Sequence, residues 1–389
     1  MASPFAPEGL YNTGIAADPT VGFADEDESS EAGVSGFRVV MAALYLVVCV
    51  VGLGGNGLVM AATLKLDRLG SAATVYIFNL ALADGLFMAG LPFVAVQNFR
   101  SSWPFGEAAC KAVMALDGVN QFTSVFCLTA MSVDRCLALG PGAGRWAGWR
   151  TPRRAKAVAA CLWLLSLAPV LPMALRFSAA SGLCTVEPPP AATAAAAEAW
   201  WVVFLAYTFV LGFALPFAVM TVAYGALLAA LRRRRRGCRG GGGGGDGGGW
   251  LRIPESQRQE RQVTRMVVAV VLAFAVCWLP FYVLNFCALT RAAGGGGEAG
   301  GGDAGAGEEV ADAPAAALTF ARGFEFVVLF SYSWSCANPI LYACLSETFR
   351  AHFRALLCPK TLPPPEGCHD DVVTEGYDLR DSTDGRSEV

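Results

Sequence analysis

The stretch that decides the fold is residues 262–290, which read QVTRMVVAVVLAFAVCWLPFYVLNFCALT. An α-helix needs about 20 mostly apolar residues to cross the hydrocarbon core of a bilayer, and this stretch is long enough to do so. Pro280 in its second half removes a helix hydrogen bond and predicts a kink. Working outward, six further stretches have the same character, and the predicted spans cover residues 37–64, 72–96, 107–139, 153–175, 199–231, 262–290 and 318–344.

The composition agrees with a membrane protein. The 389 residues are 54% hydrophobic and 16% charged, which does not fit two or three soluble domains. The net charge of -3 is nearly balanced, so no nucleic-acid partner is expected. Both histidines lie near the C-terminus and no Cys-x-x-Cys pair occurs, so no zinc site is expected either.

Lysine and arginine predict the orientation, because they are enriched in the cytoplasmic connections of membrane proteins. Basic residues follow the first predicted span, lie between the third and fourth, and begin the connection from the fifth to the sixth at Arg232. The N-terminal tail and the connection from the sixth span to the seventh are acidic. We therefore expect residues 1–36 outside, a bundle over 37–344 with a cytoplasmic connection at 232–261 and an extracellular one at 291–317, and a cytoplasmic tail at 359–389.

The residues after the seventh predicted span favour attachment to the inner membrane surface. The sequence 346–357 (SETFRAHFRALL) places Phe349, Phe353, Leu356 and Leu357 on one helical face, which predicts a short amphipathic helix over 345–358. Cys358 is then well placed for palmitoylation. In the tail, Ser387–Val389 fits a carboxyl-terminal PDZ ligand, and Ser382, Thr383 and Ser387 are candidate phosphorylation sites for arrestin binding.

Two sequence patterns are deceptive. Residues 52–57 (GLGGNG) match the dinucleotide fingerprint but lie inside an apolar run without a preceding strand. The arginine run at 232–236 abuts an apolar span, which is typical of contact with lipid headgroups rather than of nucleic-acid binding. No catalytic constellation is apparent, and we expect no enzyme.

Polar residues inside the spans are costly in hydrocarbon and therefore point to function. Together with the prolines and Trp163 they form an ordered set: Gly55-Asn56, Leu80 to Asp84 (LALAD), Asp134-Arg135, Trp163, Pro216, Cys277 to Pro280 (CWLP) and Asn338 to Tyr342 (NPILY). This set resembles the signature positions of rhodopsin-like (class A) G-protein-coupled receptors. The resemblance implies an all-α transmembrane fold, a seven-helix bundle with a short eighth helix, in the plasma membrane.

The resemblance also implies roles for these residues. Asp84, Asn120, Ser124 and Asn338 would form a cluster for an allosteric sodium ion, with no other cofactor expected. Arg135 would pair with Asp134 in the inactive state and face a G protein in the active state. Pro280 and Pro339 would act as hinges, Trp278 as a lever beneath the ligand, and Tyr342 as part of the seventh-span switch. Cys110 and Cys184 would form the outer disulfide.

A narrower likeness is carried by residues 116–128 (LDGVNQFTSVFCL) and 335–342 (SCANPILY), which resemble somatostatin receptors, as does the WPFG sequence at 103–106. Somatostatin presents a lysine beside a tryptophan, so the resemblance implies a buried anion and an apolar floor for it. The implied contacts are Asp117 for the lysine, with Gln121, Gln97, Phe281, Asn285, Phe324 and Tyr332 around it. Structural contact or bundle packing is the alternative for each of them. Asn285 and Phe324 resemble subtypes two, three and five.

The expected function is a receptor for somatostatin-like cyclic peptides that acts through inhibitory G proteins to lower cyclic AMP. A receptor for another basic peptide, opioid-like or urotensin-like, remains an alternative, and so, from a different class, does a transporter or channel. The sequence departs from the family at Cys136, where the pattern has tyrosine, and at Trp334, where a small polar residue is expected near the sodium cluster. The N-terminal tail has no Asn-x-Ser/Thr sequon.

Overall fold

The computed structural model describes residues 27–140, 143–189, 193–240, 255–294 and 313–357, which are almost entirely helical. The helices are α1 (Asp27–Lys65), α2 (Ala72–Met88), α3 (Leu91–Arg100), α4 (Gly106–Leu139), α5 (Ala143–Trp146), α6 (Pro152–Ala174), α7 (Ala194–Phe209), α8 (Leu215–Gly240), α9 (Glu255–Gly294), α10 (Ala313–Leu345) and α11 (Glu347–Leu357). The first span is α1, the second α2 with α3, the third α4, the fourth α6, the fifth α7 with α8, the sixth α9 and the seventh α10. The short α5 belongs to the connection between the third and fourth spans.

The helices extend beyond several predicted boundaries. Residues 27–36 were expected in the N-terminal tail, and 232–240 and 255–261 in the cytoplasmic connection, yet all are helical. By length and apolar composition, six of the described helices can cross a membrane. The seventh span is not among these six, because Ser331, Ser333, Ser335 and Asn338 lower the hydropathy of its second half. Ser331, Ser335 and Asn338 are buried in the bundle, whereas Ser333 is only partly buried.

Two of the spans are interrupted along their length. The second span is interrupted at Ala89 and Gly90, and Pro92 lies in the first turn of the next helix, where its missing N–H costs nothing. The fifth span contains a π-helical turn, Val210–Ala214, just before Pro216. Such a turn inserts an extra residue into the helix and often occurs at functional sites. Neither break was predicted.

The first and seventh spans approach each other closely at Gly55. A β-carbon added at Gly55 would lie 2.9 Å from the Cβ of Pro339, so only glycine permits this packing without a shift. Pro339 has no N–H to give to the carbonyl of Ser335 one turn earlier. The Asn56 amide donates to that carbonyl at 2.9 Å instead. The Gly55-Asn56 pair therefore repairs the backbone defect that the proline creates.

The connection between the fourth and fifth spans contains a two-stranded antiparallel hairpin. Its strands are β1 (Phe177–Ser178) and β2 (Thr185–Val186), with Phe177 paired to Val186. The hairpin turns at Gly182, whose φ of 85° is the left-handed conformation that favours glycine. It lies at the end of the bundle where the third span begins.

The amphipathic eighth helix is present as α11. Phe349 is buried and stacks on Tyr342 of the seventh span with ring centroids 5.3 Å apart. Phe353 and Leu356 are half-buried, whereas Leu357, predicted on the same face, is 64% exposed. Burial raises the pKa of the neighbouring Asp67 carboxyl, an effect that His352 of α11 opposes from 3.9 Å. Cys358 lies outside the described residues.

Candidate functional site

Asp117 and Tyr332 meet between the third and seventh spans. The Tyr332 hydroxyl donates a hydrogen bond of 3.0 Å to Oδ2 of Asp117. Both side chains are buried, and Tyr332 also packs edge-on against Phe87 of the second span, with ring centroids 4.9 Å apart. The carboxylate is therefore held in a fixed orientation, largely shielded from water, where an opposite charge is strongly attracted.

Gln121 lies one helical turn below Asp117 on the same face and joins three spans. Its Nε2 donates to the Tyr282 hydroxyl at 2.6 Å, and that hydroxyl donates to the carbonyl of Thr208 at 3.2 Å. The π-helical turn of the fifth span brings Gly212 so near that a β-carbon there would lie 3.2 Å from the Tyr282 hydroxyl. Within the described residues, the buried Oε1 of Gln121 has no hydrogen-bond partner. That oxygen can accept a bond from a ligand.

Aromatic side chains of the sixth and seventh spans form an apolar layer beside this polar pair. Phe281 packs edge-on against Trp278 at 5.8 Å and lies 6.3 Å from the ring of Phe324. All three side chains are buried. The indole Nε1 of Trp278 is buried without a hydrogen-bond partner among the described residues. This arrangement fits the apolar floor that the resemblance implies.

Asn285 is buried, and its side-chain amide bonds to the backbone of its own helix. Its Nδ2 donates to the carbonyl of Phe281 at 2.8 Å, one turn earlier. This hydrogen bond to the backbone holds the side-chain amide of Asn285 in one orientation. Asn285 lies on the same helix as Phe281 and Trp278, one turn from Phe281.

The disulfide between Cys110 and Cys184 ties the hairpin to the third span, as expected. Gln97 reinforces this attachment, because its Oε1 accepts a hydrogen bond of 2.8 Å from the backbone N–H of Cys184. Two further hydrogen bonds fix the hairpin. The backbone N–H of Trp103 donates to the carbonyl of Gly182 at 2.8 Å, and Oε2 of Glu107 accepts from the backbone N–H of Ala179 at 2.8 Å. Gln97 was predicted as a wall of the site, and the structure gives it an anchoring contact that the sequence did not suggest.

The polar cluster centred on Asp84 is assembled from the second, third and seventh spans. Ser335 Oγ and Asn338 Nδ2 donate to the two carboxylate oxygens of Asp84, each at 2.8 Å. Ser124 donates to Asn120 at 3.0 Å, and Asn120 donates to Ser335 at 3.2 Å. Ser335 completes the cluster and was missed, although it lies in the quoted seventh-span motif.

The Asp84 cluster contains the kinds of oxygen atom that bind a sodium ion. The carboxylate, hydroxyl and amide oxygens are the hard ligands that such a cation takes, and Asn338 Oδ1 is buried without a hydrogen-bond partner among the described residues. One turn before Asn338, Trp334 is fully buried and packs edge-on against Phe274 at 5.3 Å. The oxygens fit a cation, and Trp334 stands one turn from Asn338 where the resemblance leads us to expect a small polar residue.

Four residues of the third-span motif contact three other spans. Gly118 admits the side chain of Val170, since a β-carbon at Gly118 would lie 3.2 Å from it. Asn120 and Gln121 reach the seventh and sixth spans, and Thr123 bonds to Ser166 of the fourth span at 2.7 Å. These four residues therefore join the third span to the fourth, sixth and seventh.

At the opposite end of the third span, Asp134 pairs with Arg135 as expected. Arg135 donates to Oδ2 of Asp134 through Nε at 3.0 Å and also through Nη2. A second arginine, Arg150, also binds Asp134 and was not predicted. Tyr342, predicted as a switch residue, is buried, and its hydroxyl has no hydrogen-bond partner among the described residues.

Comparison with known proteins places this geometry in a family. Residues 55–342 match the model of the 7 transmembrane receptor (rhodopsin family). The chain therefore belongs to the rhodopsin family of seven-transmembrane receptors, multi-pass membrane proteins that transmit signals.

Its relatives narrow the assignment. The chain is 44% identical to somatostatin receptor type 5 of Bos taurus over 82% of this chain and 76% of the relative. It is 42% identical to somatostatin receptor type 3 of Mus musculus, over 85% of this chain and 71% of the relative. It is 36% identical to somatostatin receptor type 2 of Mus musculus, over 89% and 85%. Within the rhodopsin family, the chain belongs with the somatostatin receptors.

Proposed function

We propose that this chain is a receptor for somatostatin-like cyclic peptides and that it couples to inhibitory G proteins to lower cyclic AMP. The observation that carries the proposal is the buried carboxylate of Asp117, oriented by Tyr332 and lying one turn above Gln121. The names of its relatives supply the ligand class. A peptide lysine fits this carboxylate, because a charged hydrogen bond is strong where water is excluded.

The neighbouring residues divide the remaining work of recognition. Gln121 offers its unpartnered Oε1 to a donor on the ligand, such as an indole N–H. Phe281 and Phe324 offer an apolar surface above Trp278. Ligand contact with Trp278 would bias the kink at Pro280, and movement of the sixth span would carry the signal to the cytoplasmic end. In this mechanism Arg135 leaves Asp134 and meets the G protein.

The test is cyclic AMP in cells that express the chain, stimulated with forskolin and then with peptide. Somatostatin should lower cyclic AMP, and Asp117→Asn should abolish the response while preserving expression at the cell surface. Asp67→Asn is a matched control, because it removes a carboxylate from the connection between the first and second spans, far along the chain from the ligand residues. An unchanged response in the Asp117→Asn receptor would remove Asp117 from the ligand site.

The same assay covers the alternative ligands. A receptor that ignores somatostatin but responds to an opioid or urotensin peptide would still use Asp117, and the ligand class would then be wrong. A chain without any peptide response that moves ions or solutes would be a transporter or channel. The proposal requires pertussis toxin to block the peptide response, because that toxin inactivates inhibitory G proteins.

We further propose that the Asp84 cluster holds an allosteric sodium ion, with Asp84, Asn120, Ser124 and Asn338 as the groups that would bind it, as the sequence suggested. The ion would supply positive charge to the carboxylate and favour the inactive packing. The orphaned Oδ1 of Asn338 supports this assignment.

The remaining partners are proposed from sequence, because Cys358, Ser382, Thr383 and Ser387–Val389 lie outside the described residues. We propose a palmitoyl anchor at Cys358, arrestin binding to the phosphorylated tail, and a PDZ protein at the carboxyl terminus. We also propose a plasma-membrane location with the N-terminus outside. The basic connections support that orientation, since Arg145 and Arg153 are exposed at the same end as Arg232 and Arg233.

A further inference from the structure

The carboxylate of Asp134 is shared by two arginines from different parts of the chain. Arg135 is its neighbour on the third span, and Arg150 follows the 3-10 turn Ala147–Trp149 in the connection to the fourth span. The Asp134 side chain is 8% exposed, and that of Arg150 is 20% exposed. The Arg150 pair is therefore partly buried, unlike the surface ion pairs that contribute little.

The two arginines bind Asp134 with different geometry. Arg150 spans the carboxylate, with Nε 2.9 Å from Oδ1 and Nη2 3.2 Å from Oδ2. Arg135 directs its Nε and its Nη2 to the single oxygen Oδ2. The two-oxygen contact is the stronger and more specific arrangement for a guanidinium and a carboxylate. Arg150 is thus placed as well as Arg135 to hold this charge.

The segment that carries Arg150 is itself anchored. Arg154 stacks its guanidinium 4.4 Å from the centre of the Trp149 ring and donates to the carbonyl of Gly148 at 3.0 Å. Trp149 in turn packs edge-on against Trp146. Thr151 caps the fourth span, which starts one residue later. Arg150 therefore approaches Asp134 from a backbone that the next helix fixes in place.

This placement matters when Arg135 moves. If Asp134 lost its only cation, a buried carboxylate would remain unpaired, which is strongly unfavourable. With Arg150 in contact, the carboxylate stays paired after Arg135 leaves, and the nearby positive charge of Arg150 also weakens the hold of Asp134 on Arg135. We propose that Arg150 is a positioning residue for activation, a standby counter-ion of Asp134 that lowers the cost of releasing Arg135. This inference rests on the proposed coupling to a G protein.

The experiment measures G-protein activation in membranes, with and without peptide, for receptors matched in surface expression. Arg150→Gln should lower basal activation and shift the peptide dose–response to about tenfold higher concentration, the scale expected for a partly buried charge pair. Arg150→Lys keeps the charge and should restore at least part of the response. Arg153→Gln, which removes an exposed charge from the same segment, should behave as wild type.

Dependence on the carboxylate separates this role from a structural one. In an Asp134→Asn receptor, Arg150→Gln should have no further effect on activation, because the charge it stabilises is gone. Higher basal activity in Arg150→Gln would make Arg150 a lock of the inactive state and would overturn the proposal. A wild-type level of activity, an equal effect in the Asp134→Asn receptor, or a lysine variant no better than glutamine would also overturn it. Basal activation reads out Arg150 without any peptide, so a wrong ligand assignment would leave this result intact.

Discussion

In the proposed mode of recognition, Tyr332 and Asp117 are the two residues that matter most at the residue scale. Tyr332 lies on the seventh span and Asp117 on the third. Their hydrogen bond therefore couples the orientation of the Asp117 carboxylate to the packing of these two helices. Tyr332 is itself held by the aromatic rings of Phe87 and Tyr45. Tyr332 therefore fixes the orientation of the Asp117 carboxylate and forms part of its surroundings.

Removing the Tyr332 hydroxyl should therefore weaken peptide binding without destroying the fold. We expect Tyr332→Phe to lower affinity about tenfold, since a hydrogen bond to a charged group is worth about 1.5–3 kcal/mol. Competition with a labelled peptide gives the affinity. Tyr207→Phe serves as the control, because its hydroxyl makes a long contact of 3.4 Å with the Pro169 carbonyl. Equal losses in both variants would show that the Asp117 contact is not the cause.

Individual site residues were predictable where a polar group stands inside an apolar run. Asp84, Asp117 and Asn338 stand out in this way, because hydrocarbon gives a polar group no partner. Tyr282 and Arg150 were not predicted. Tyr282 looks like ordinary packing in a sequence of aromatics, and Arg150 looks like one more basic residue in a cytoplasmic connection. Their partners are distant in sequence and become visible only in the folded bundle.

Among the elements, the contact of the first and seventh spans shows how a helix defect is used. Pro339 removes a backbone hydrogen bond from the seventh span, Gly55 gives the proline room, and Asn56 satisfies the carbonyl that the proline leaves unbonded. Asn56 also donates to its own helix at Gly52, which fixes its amide. The missing hydrogen bond is therefore compensated by a neighbouring span, next to Asn338 of the polar cluster.

A methyl group at Gly55 tests this packing. We expect Gly55→Ala to lower the thermal stability of the purified receptor, because overpacking a tight contact costs about 1–3 kcal/mol. Gly54→Ala is a matched control one residue away, where a β-carbon meets nothing within 4 Å. Alanine favours a helix over glycine by about 1 kcal/mol, so Gly54→Ala should match or exceed wild type. The packing argument fails if the two variants melt together.

The seven spans were predictable because hydropathy and length are set by the bilayer, and the short eighth helix because its apolar residues repeat at helical spacing. The break at Ala89–Gly90 and the π-helical turn at Val210–Ala214 were not predictable. Both depend on how a helix packs against its neighbours, and Gly212 in the π-helical turn lies against Gln121 and Tyr282 of two other spans. Helix ends beyond the membrane were also misplaced, since hydropathy does not mark them.

At the scale of the whole molecule, the described residues form three connected layers. The candidate ligand residues around Asp117 form one layer, the rings of Trp278, Phe274 and Trp334 form a second, and the Asp84 cluster forms a third, with Trp334 one turn before Asn338 on the seventh span. Asp134 and Arg135 lie at the far end of the third span. The third and seventh spans contribute residues both to the Asp117 site and to the Asp84 cluster, and in the proposed mechanism they link the two.

Sodium should report on this coupling. We expect peptide affinity to be about fivefold lower in sodium chloride than in N-methyl-D-glucamine chloride of equal ionic strength, a typical allosteric coupling. Asp84→Asn should abolish the difference. Trp334→Asn should enlarge it by opening space beside Asn338. If wild type and both variants respond identically to the two salts, the Asp84 cluster does not bind sodium.

The most direct test of the central claim is a double-mutant cycle between receptor and ligand. Peptide affinity is measured for wild type and Asp117→Asn, each with somatostatin and with an analogue whose lysine is replaced by norleucine. Each single change should lower affinity by at least about thirtyfold, because breaking a buried charge pair costs about 2 kcal/mol or more. The two changes together should cost little more than either alone. Losses that simply add would show that the lysine and Asp117 do not meet, and would contradict the account.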